Sequence, residues 1–293
     1  MSRIHEALKK AEEERAAAQA GQPRMVEQGV AVEGSPAMPS FTTPFTFDML
    51  LARCAQCNWS PDRRTMLFFN AEEHLAGTEE FRTLRSRLYQ IREKQPLKKV
   101  LVTSSLPKEG KSFVAANLAQ VIARQHGRRV LLIDADLRAP RLHQLLGTSA
   151  GPGLADYLSG QADEFAVMQR GLMENLFFIP SGRAVSSPAE LVANGRLKAL
   201  LSRLEPLFDW IIIDSPPAVP VSDASLMADY CDGVLMVVRS NATPFDVAQK
   251  ARQEFREERL IGVVLNGIDA RSPAYSYYYK AYGKPDGKAG VQR

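Results

Sequence analysis

The sequence predicts an α/β protein built on a doubly wound, mainly parallel sheet with helices on both faces. Three observations carry that prediction. Short runs of β-branched and apolar residues, such as Val100–Thr103 and Trp210–Ile213, have the uninterrupted apolar texture of strands buried on both sides. These runs alternate with longer stretches of helical period. One of them leads into a Gly-Lys-Ser turn and two end in aspartate, at the strand ends where open parallel sheets collect ligands.

From the N-terminus, residues 1–20 read as a helix. Ser2 can cap it, and Ile4, Ala7, Leu8 and Ala11 share one face amid mixed charge. So narrow a stripe is marginal alone, which makes it either a docking helix or a solvated end. Residues 21–61 carry five prolines and three glycines, with no clear period before Phe45. That is the composition of a linker of low order, in which Phe45–Leu51 forms a small adhering segment. Residues 62–96 contain a strong helix, Gly77–Arg92, with Thr78 as cap and Glu79 and Glu80 in the first turn. Phe81, Leu84, Leu88 and Ile91 make its apolar stripe. Glu79, Arg82 and Arg85 form a charged row at steps of three, which by itself is a solvated face of weak ion pairs.

Residues 97–270 hold the sheet. The strand Val100–Thr103 breaks at Pro107 and reaches Gly110-Lys111-Ser112, where an apolar helical pattern begins. Ser105–Ser112 fits the frame of a phosphate loop, with Ser105 in the place usually held by glycine. The chemistry requires these residue types. Backbone N–H groups of the loop and helix start face a polyphosphate, Lys111 reaches its terminal phosphates, and the Ser112 hydroxyl can ligate Mg²⁺. Lys108, Glu109, Gly110 and Phe113 complete the nucleotide-contacting set. Lys108 either adds charge near the nucleotide or points to solvent.

Arg129–Asp134 is a second buried strand, ending in Asp134-Ala135-Asp136 with Arg138 beyond. A turn and short helix at Gly151–Gly160, a strand at Leu176–Pro180 and a helix from Ser187-Pro188 through Leu204 follow. Asp209 leads into the strand Trp210–Asp214, which Pro216 and Pro217 end abruptly. Asp223 caps the next helix and is also a candidate neighbour of the substrate hydroxyl. Strands Val234–Val238 and Ile261–Leu265 complete the sheet, and Asn266 follows the last. A single Asp after an apolar run is usually a cap or turn former. Asp134, Asp136 and Asp214, in register with one phosphate loop, instead converge with Lys111 and Ser112 on a Mg–nucleotide site.

Residues 271–293 hold five of the eight tyrosines, Tyr275, Tyr277, Tyr278, Tyr279 and Tyr282, among Gly, Pro and Lys. A flexible basic end of this kind exposes its phenols and suits a substrate better than a core. It carries five Lys or Arg against one Asp, which accounts for the whole net charge of +4. The rest of the chain sums to zero, so the basic balance does not mark a nucleic-acid binder. With 293 residues, 45% hydrophobic and 24% charged, the chain can bury one sizeable core with appendages. No apolar run nears the ~18 residues of a membrane helix, and no secretory leader is legible. Cys54, Cys57 and Cys231 fit a reducing cytoplasm; Cys54 and Cys57, without a second pair at zinc-site spacing, read as incidental thiols.

Taken together, S-S-L-P-K-E-G-K-S, L-L-I-D-A-D-L-R, D-W-I-I-I-D-S-P-P and the terminal Y-S-Y-Y-Y-K-A-Y resemble the bacterial tyrosine kinases of polysaccharide export, P-loop NTPases, over Leu75–Tyr282. The opening M-S-R-I-H-E-A-L-K-K-A-E resembles stand-alone kinases of exosortase-linked systems. Related ATPases of the MinD/ParA type share the fold but typically carry a further Lys just after the first loop position, where this chain has Leu106. The resemblance implies an ATP- and Mg²⁺-dependent autokinase, with Tyr275, Tyr277, Tyr278, Tyr279 and Tyr282 phosphorylated between subunits to control exopolysaccharide synthesis and export. It implies Lys111 on the phosphates, Ser112, Asp136 and Asp214 around the metal, Asp134 as base with Asp136 able to exchange roles, and Asn266 on adenine. Glu79, Arg82 and Arg85 match the subunit-contact motif of the kinase rings. The implied partners are further copies, a membrane-embedded polysaccharide co-polymerase that activates the kinase, and a protein tyrosine phosphatase. That places the chain in the cytoplasm, peripheral to the inner membrane. The rival is a MinD/ParA-like ATPase switch that acts as an assembly scaffold without kinase activity.

Overall fold

The computed structural model describes residues 46–62, 64–69, 77–171 and 173–268. The helix expected at 1–20 and the tyrosine-bearing tail lie outside them. Eight strands among the described residues form one sheet: β1 (Ala55–Gln56), β2 (Lys99–Ser104), β3 (Val130–Asp134), β4 (Gln169–Arg170), β5 (Leu176–Ile179), β6 (Trp210–Asp214), β7 (Gly233–Arg239) and β8 (Leu260–Asn266). Their order is β1-β4-β5-β3-β6-β2-β7-β8, parallel at every pairing except β4 with β5. This is the doubly wound, mainly parallel sheet expected.

Side-chain alternation explains why β3 and β6 tolerate no polar residue before their terminal aspartates. Leu131, Ile133, Ile211 and Ile213 enter one core, beneath the helices α5 (Leu154–Leu158), α7 (Arg196–Leu204) and α8 (Asp223–Ala228). Val130, Leu132, Trp210 and Ile212 enter the other, beneath α2 (Thr78–Arg92) and α3 (Lys111–Ala123). Helix α3 is buried almost all round. Its alanines 115, 116, 119 and 123 let the sheet and α2 approach closely. Two polar side chains lie inside this core, Asn117 with its amide group satisfied and Gln120 with its Oε1 left without a partner. Asn117 accepts from the Leu67 amide at 2.8 Å and donates to the Thr65 carbonyl at 2.8 Å, while Gln120 donates to the Ala116 carbonyl at 3.1 Å. Asn117 thereby ties the segment before α2 to the helix that begins at the phosphate loop.

Four expectations are corrected. The linker does not reach residue 61, because the chain packs from Thr46, whose hydroxyl accepts from the Met49 amide and caps α1 (Phe47–Arg53). Phe47 meets Phe177 edge-on at 5.6 Å, β1 extends the sheet beside β4, and Trp59 is buried against Phe178. Proline and glycine, counted over the whole stretch, concealed this aromatic end. Gly77, not Thr78, occupies the cap of α2, and Thr78 is buried within its first turn. The single helix expected through Leu204 is two, α6 (Pro188–Ala193) and α7, broken at Gly195 with φ of 83°. Asp223 does not cap its helix either: Ser222 holds that position and the Asp223 carboxylate is engaged elsewhere.

Trp59 tests whether this N-terminal arm belongs to the fold. Trp59→Ala is expected to cost about 3–5 kcal/mol of stability, because it empties a buried aromatic site. Urea unfolding measures it, and a midpoint equal to wild type would show that the arm is peripheral.

Candidate active site

The site lies where β2, β3 and β6 end. Strands β3 and β6 pair in register with Asp134 beside Asp214, and Val102 of β2 pairs with Asp214 from the other side. Beyond β2 the chain turns through a loop in which Lys108 has φ of 69° and Gly110 φ of 98°. A Cβ on Gly110 would come within 2.0 Å of Asn266 Nδ2, so glycine is required by both its dihedral and its neighbour. No side chain caps α3 at Gly110. Its first amides are left for an anion.

The loop is braced from outside. The Glu109 side chain turns into the protein, where it accepts from the Leu106 amide at 2.8 Å and from the Thr243 hydroxyl. Asn266 Nδ2 donates to the Glu109 carbonyl at 2.8 Å, and Arg239 Nη1 to the Lys108 carbonyl at 3.1 Å. Asn266, expected on adenine, here supports the phosphate loop. Glu109, expected among the nucleotide contacts, contributes its backbone to the loop and its carboxylate to the brace. Thr243 and Arg239 carried no sequence signal, since nothing local marks a residue that works through a loop 130 positions away.

Lys108, Gly110, Lys111, Ser112 and Phe113 line a cleft of about 590 Å³, together with Asp136, Arg138, Pro216, Pro217 and Val221. Lys108 is exposed at its rim. Lys111 Nζ bonds Asp136 Oδ2 at 2.7 Å and stands 3.8 Å from Asp214 Oδ1. Burial opposes its charge, yet Asp214 and Asp136 outweigh that and hold its pKa above the usual lysine value. Asp134 is fully buried and does not line the cleft. Its oxygens accept from the Asp136 amide at 3.3 Å and the Leu142 amide at 3.0 Å, and burial, reinforced by Asp214, raises its pKa well above the carboxylate range. Burial likewise pushes Asp214 up to about 6, against the pull of Lys111.

Asp214 is the group that identifies what the site takes. Both of its oxygens are buried without a hydrogen-bond partner, beside Ser112 and Lys111. Lys111, at 3.8 Å and already bonded to Asp136, offsets its charge only in part, and a buried carboxylate so placed is costly unless a further cation completes it. A hydroxyl and a carboxylate oxygen below a phosphate loop are the donors Mg²⁺ prefers, so these residues fit a Mg–nucleotide. Phe113 connects the cleft to α2 through an edge-on contact with Phe81 at 5.7 Å. On α2 itself, Arg82 pairs with Glu79, and Arg85 Nη1 donates to the Val121 carbonyl near the end of α3 at 3.0 Å.

Strand ends, phosphate loop and buried carboxylates define a P-loop nucleotide-binding domain. Residues 100–282 match the CobQ/CobB/MinD/ParA nucleotide binding domain family. The tyrosine-protein kinase YwqD of Bacillus subtilis is 34% identical over 69% of this chain and 86% of its own length. The tyrosine-protein kinase Wzc of Salmonella typhimurium is 33% identical over 68% of this chain, a match that spans 28% of Wzc. The kinase domain of the Escherichia coli tyrosine kinase Etk superposes with a TM-score of 0.63 at 27% identity, covering 74% of this chain and 91% of that one. This chain belongs to the bacterial tyrosine kinases, within that wider nucleotide-binding family.

The raised carboxyl of Asp214 makes stability depend on pH. A carboxyl whose folded pKa exceeds its unfolded value binds more protons when folded. Its stabilising contribution is therefore complete below the unfolded value near ~4 and is lost as pH rises through about 6. Asp214→Asn should flatten that fall and raise nucleotide-free stability at pH 8 by on the order of 1–3 kcal/mol. Thermal unfolding of both proteins from pH 4 to 8 checks it, and parallel profiles would refute the assignment.

Proposed function

We propose that this chain is an ATP-dependent protein-tyrosine autokinase that phosphorylates Tyr275, Tyr277, Tyr278, Tyr279 and Tyr282 of a neighbouring subunit. The observation that carries the reading is the contact of Lys111 with Asp136 at the floor of a cleft whose wall includes Pro216, Pro217 and Val221. Cation and carboxylate meet where a phosphate would end, and the apolar wall suits a phenol ring rather than water alone.

Phosphoryl transfer depends mainly on positioning and on charge stabilisation. Lys111 exchanges Asp136 for the terminal phosphates of ATP, and the α3 amides hold the adjoining oxygens. Ser112 and Asp214 would hold Mg²⁺, which when bound supplies charge to the β- and γ-phosphates. Asp136, the carboxylate of the three that faces the cleft, receives the phenol proton once Lys111 leaves it. Asp134 stands behind, tied to the Asp136 amide, and sets that turn. This moves the base expected at Asp134 to Asp136, and takes Asp136 from the place expected for it beside the metal, on the ground that a base must first reach the proton.

The row Glu79, Arg82 and Arg85 is proposed to close copies of the chain into a ring, with Phe81 and Phe113 linking that helix to the cleft. An activator embedded in the membrane is proposed as well, working on polysaccharide export, together with a phosphatase that resets the tail. Wzc extends well beyond the matched part, and a separate partner would supply such a portion in trans. Among the described residues no helix is long and apolar enough to cross a membrane. A cytoplasmic position beside the inner membrane accords with that arrangement.

Lys111→Met should leave a folded protein whose tail phosphorylation falls by ~10²–10³, since one transition-state charge is removed. Phosphotyrosine immunoblots after incubation with Mg-ATP decide it, and near-normal signal would sink the kinase reading. Arg82→Ala with Arg85→Ala should give monomers and slower phosphorylation. Light scattering at matched concentration is the measurement, with thermal unfolding alongside because Arg85 also holds Val121. An unchanged oligomer would return this helix face to solvent.

A further inference from the structure

Arg138 stands on the wall of the cleft, two positions beyond Asp136, and its side chain is 40% exposed. Its Nε and Nη2 donate to Asp223 Oδ2 and Oδ1 at 2.7 and 2.9 Å. The Asp223 side chain is only 1% exposed, and its helix is not capped by it. Asp136 Oδ1 accepts from the Arg138 amide at 3.3 Å, so the backbone is held too. Nη1 has no hydrogen-bond partner among the described residues.

Stability alone does not account for this arrangement. Withdrawing a carboxylate from water offsets most of what its attraction to an arginine returns. A two-pronged grip on one edge of a guanidinium does something else, which is to set the direction of a planar cation while leaving the other edge available. The cleft it borders already holds Lys111 and the amides of α3. In the transition state of phosphoryl transfer, charge spreads over three equatorial oxygens, more than one lysine and one helix end can face.

We propose that Arg138 is a further catalytic residue, whose free guanidinium edge contacts the transferred phosphoryl group, and that Asp223 is the positioning residue that aims it. The proposal rests on the phosphoryl-transfer reading of this cleft. In the step itself the bond from γ-phosphorus to the β–γ bridging oxygen breaks and ADP departs. A bond from γ-phosphorus to the acceptor oxygen forms, and the acceptor proton passes to Asp136. Arg138 gains and loses no proton; it stabilises charge. The pair also joins the loop after β3 to the start of α8, so the cation keeps its place relative to the acceptor wall at Pro216–Val221.

Arg138→Ala would strand a buried carboxylate, so the informative variant is Arg138→Gln combined with Asp223→Asn, which keeps a neutral hydrogen-bonded pair of similar shape. Arg138→Lys keeps the charge and loses the fork. Three quantities are measured on the full chain: thermal unfolding, affinity for a fluorescent ADP analogue, and single-turnover consumption of Mg-ATP, followed both as phosphotyrosine and as released phosphate. The double variant is expected to unfold and bind ADP like wild type while turnover falls by ~10²–10³, with Arg138→Lys in between. A folded double variant with wild-type turnover would overturn the proposal. So would turnover losses that follow melting temperature or ADP affinity across the variants, the signature of a brace. If wild type releases phosphate without forming phosphotyrosine, the kinase reading fails and Arg138 is judged on phosphate release. If wild type consumes no ATP at all, both fall.

Discussion

The structure depends on a buried charge cluster. Lys111 meets Asp136 at 2.7 Å and Asp214 at 3.8 Å, with Asp134 in register beside Asp214. Three carboxylates and one ammonium, all nearly removed from water, leave a surplus of negative charge that the protein cannot neutralise alone. Proton uptake relieves part of it, which is why burial raises both Asp134 and Asp214. A divalent cation delivered with a nucleotide would relieve it differently, and the donors present suit that second solution. The site's poor electrostatics when empty of ligand are the counterpart of its readiness to bind.

Everything around the cluster holds it in that state. The all-apolar strands β3 and β6 cannot slip without moving buried side chains to the opposite core, so their terminal aspartates stay aligned. Helix α3 is buried almost all round, and Asn117 extends that enclosure to the segment at 65–67. The phosphate loop is then held at Lys108 and Glu109 by Arg239, Thr243 and Asn266, which stand at and just beyond the ends of the neighbouring strands β7 and β8. A loop preorganised in this way has little entropy left to lose when phosphate arrives.

Membership of the bacterial tyrosine kinases gives these features a shared purpose. The loop and carboxylates serve nucleotide chemistry common to the wider CobQ/CobB/MinD/ParA domains. Around the cleft of this chain, Pro216, Pro217 and Val221 form an apolar stretch of wall, and Arg138 is fixed by Asp223. An apolar wall with an aimed cation is what the proposed transfer to an aromatic acceptor requires.

The sequence by itself determined the sheet, its parallel character and the gathering of Lys111, Ser112, Asp134, Asp136 and Asp214 at the strand ends. Those features are local: buried strands must be apolar throughout, and a phosphate loop must have small residues, lysine and a hydroxyl at set spacing. Tertiary structure decided the rest. Which aspartate faces the cleft depends on how a turn is held by the Leu142 and Asp136 amides. Whether Asp223 caps its own helix or grips Arg138 depends on a residue 85 positions away. Asn266 and Glu109 are nucleotide contacts by motif and supports by position, and the aromatic end of an apparent linker packs only because Phe177 and Phe178 are there to meet it. For Asp223, Asn266 and the aromatic arm, the partner lies far along the chain, where only folding brings it within reach.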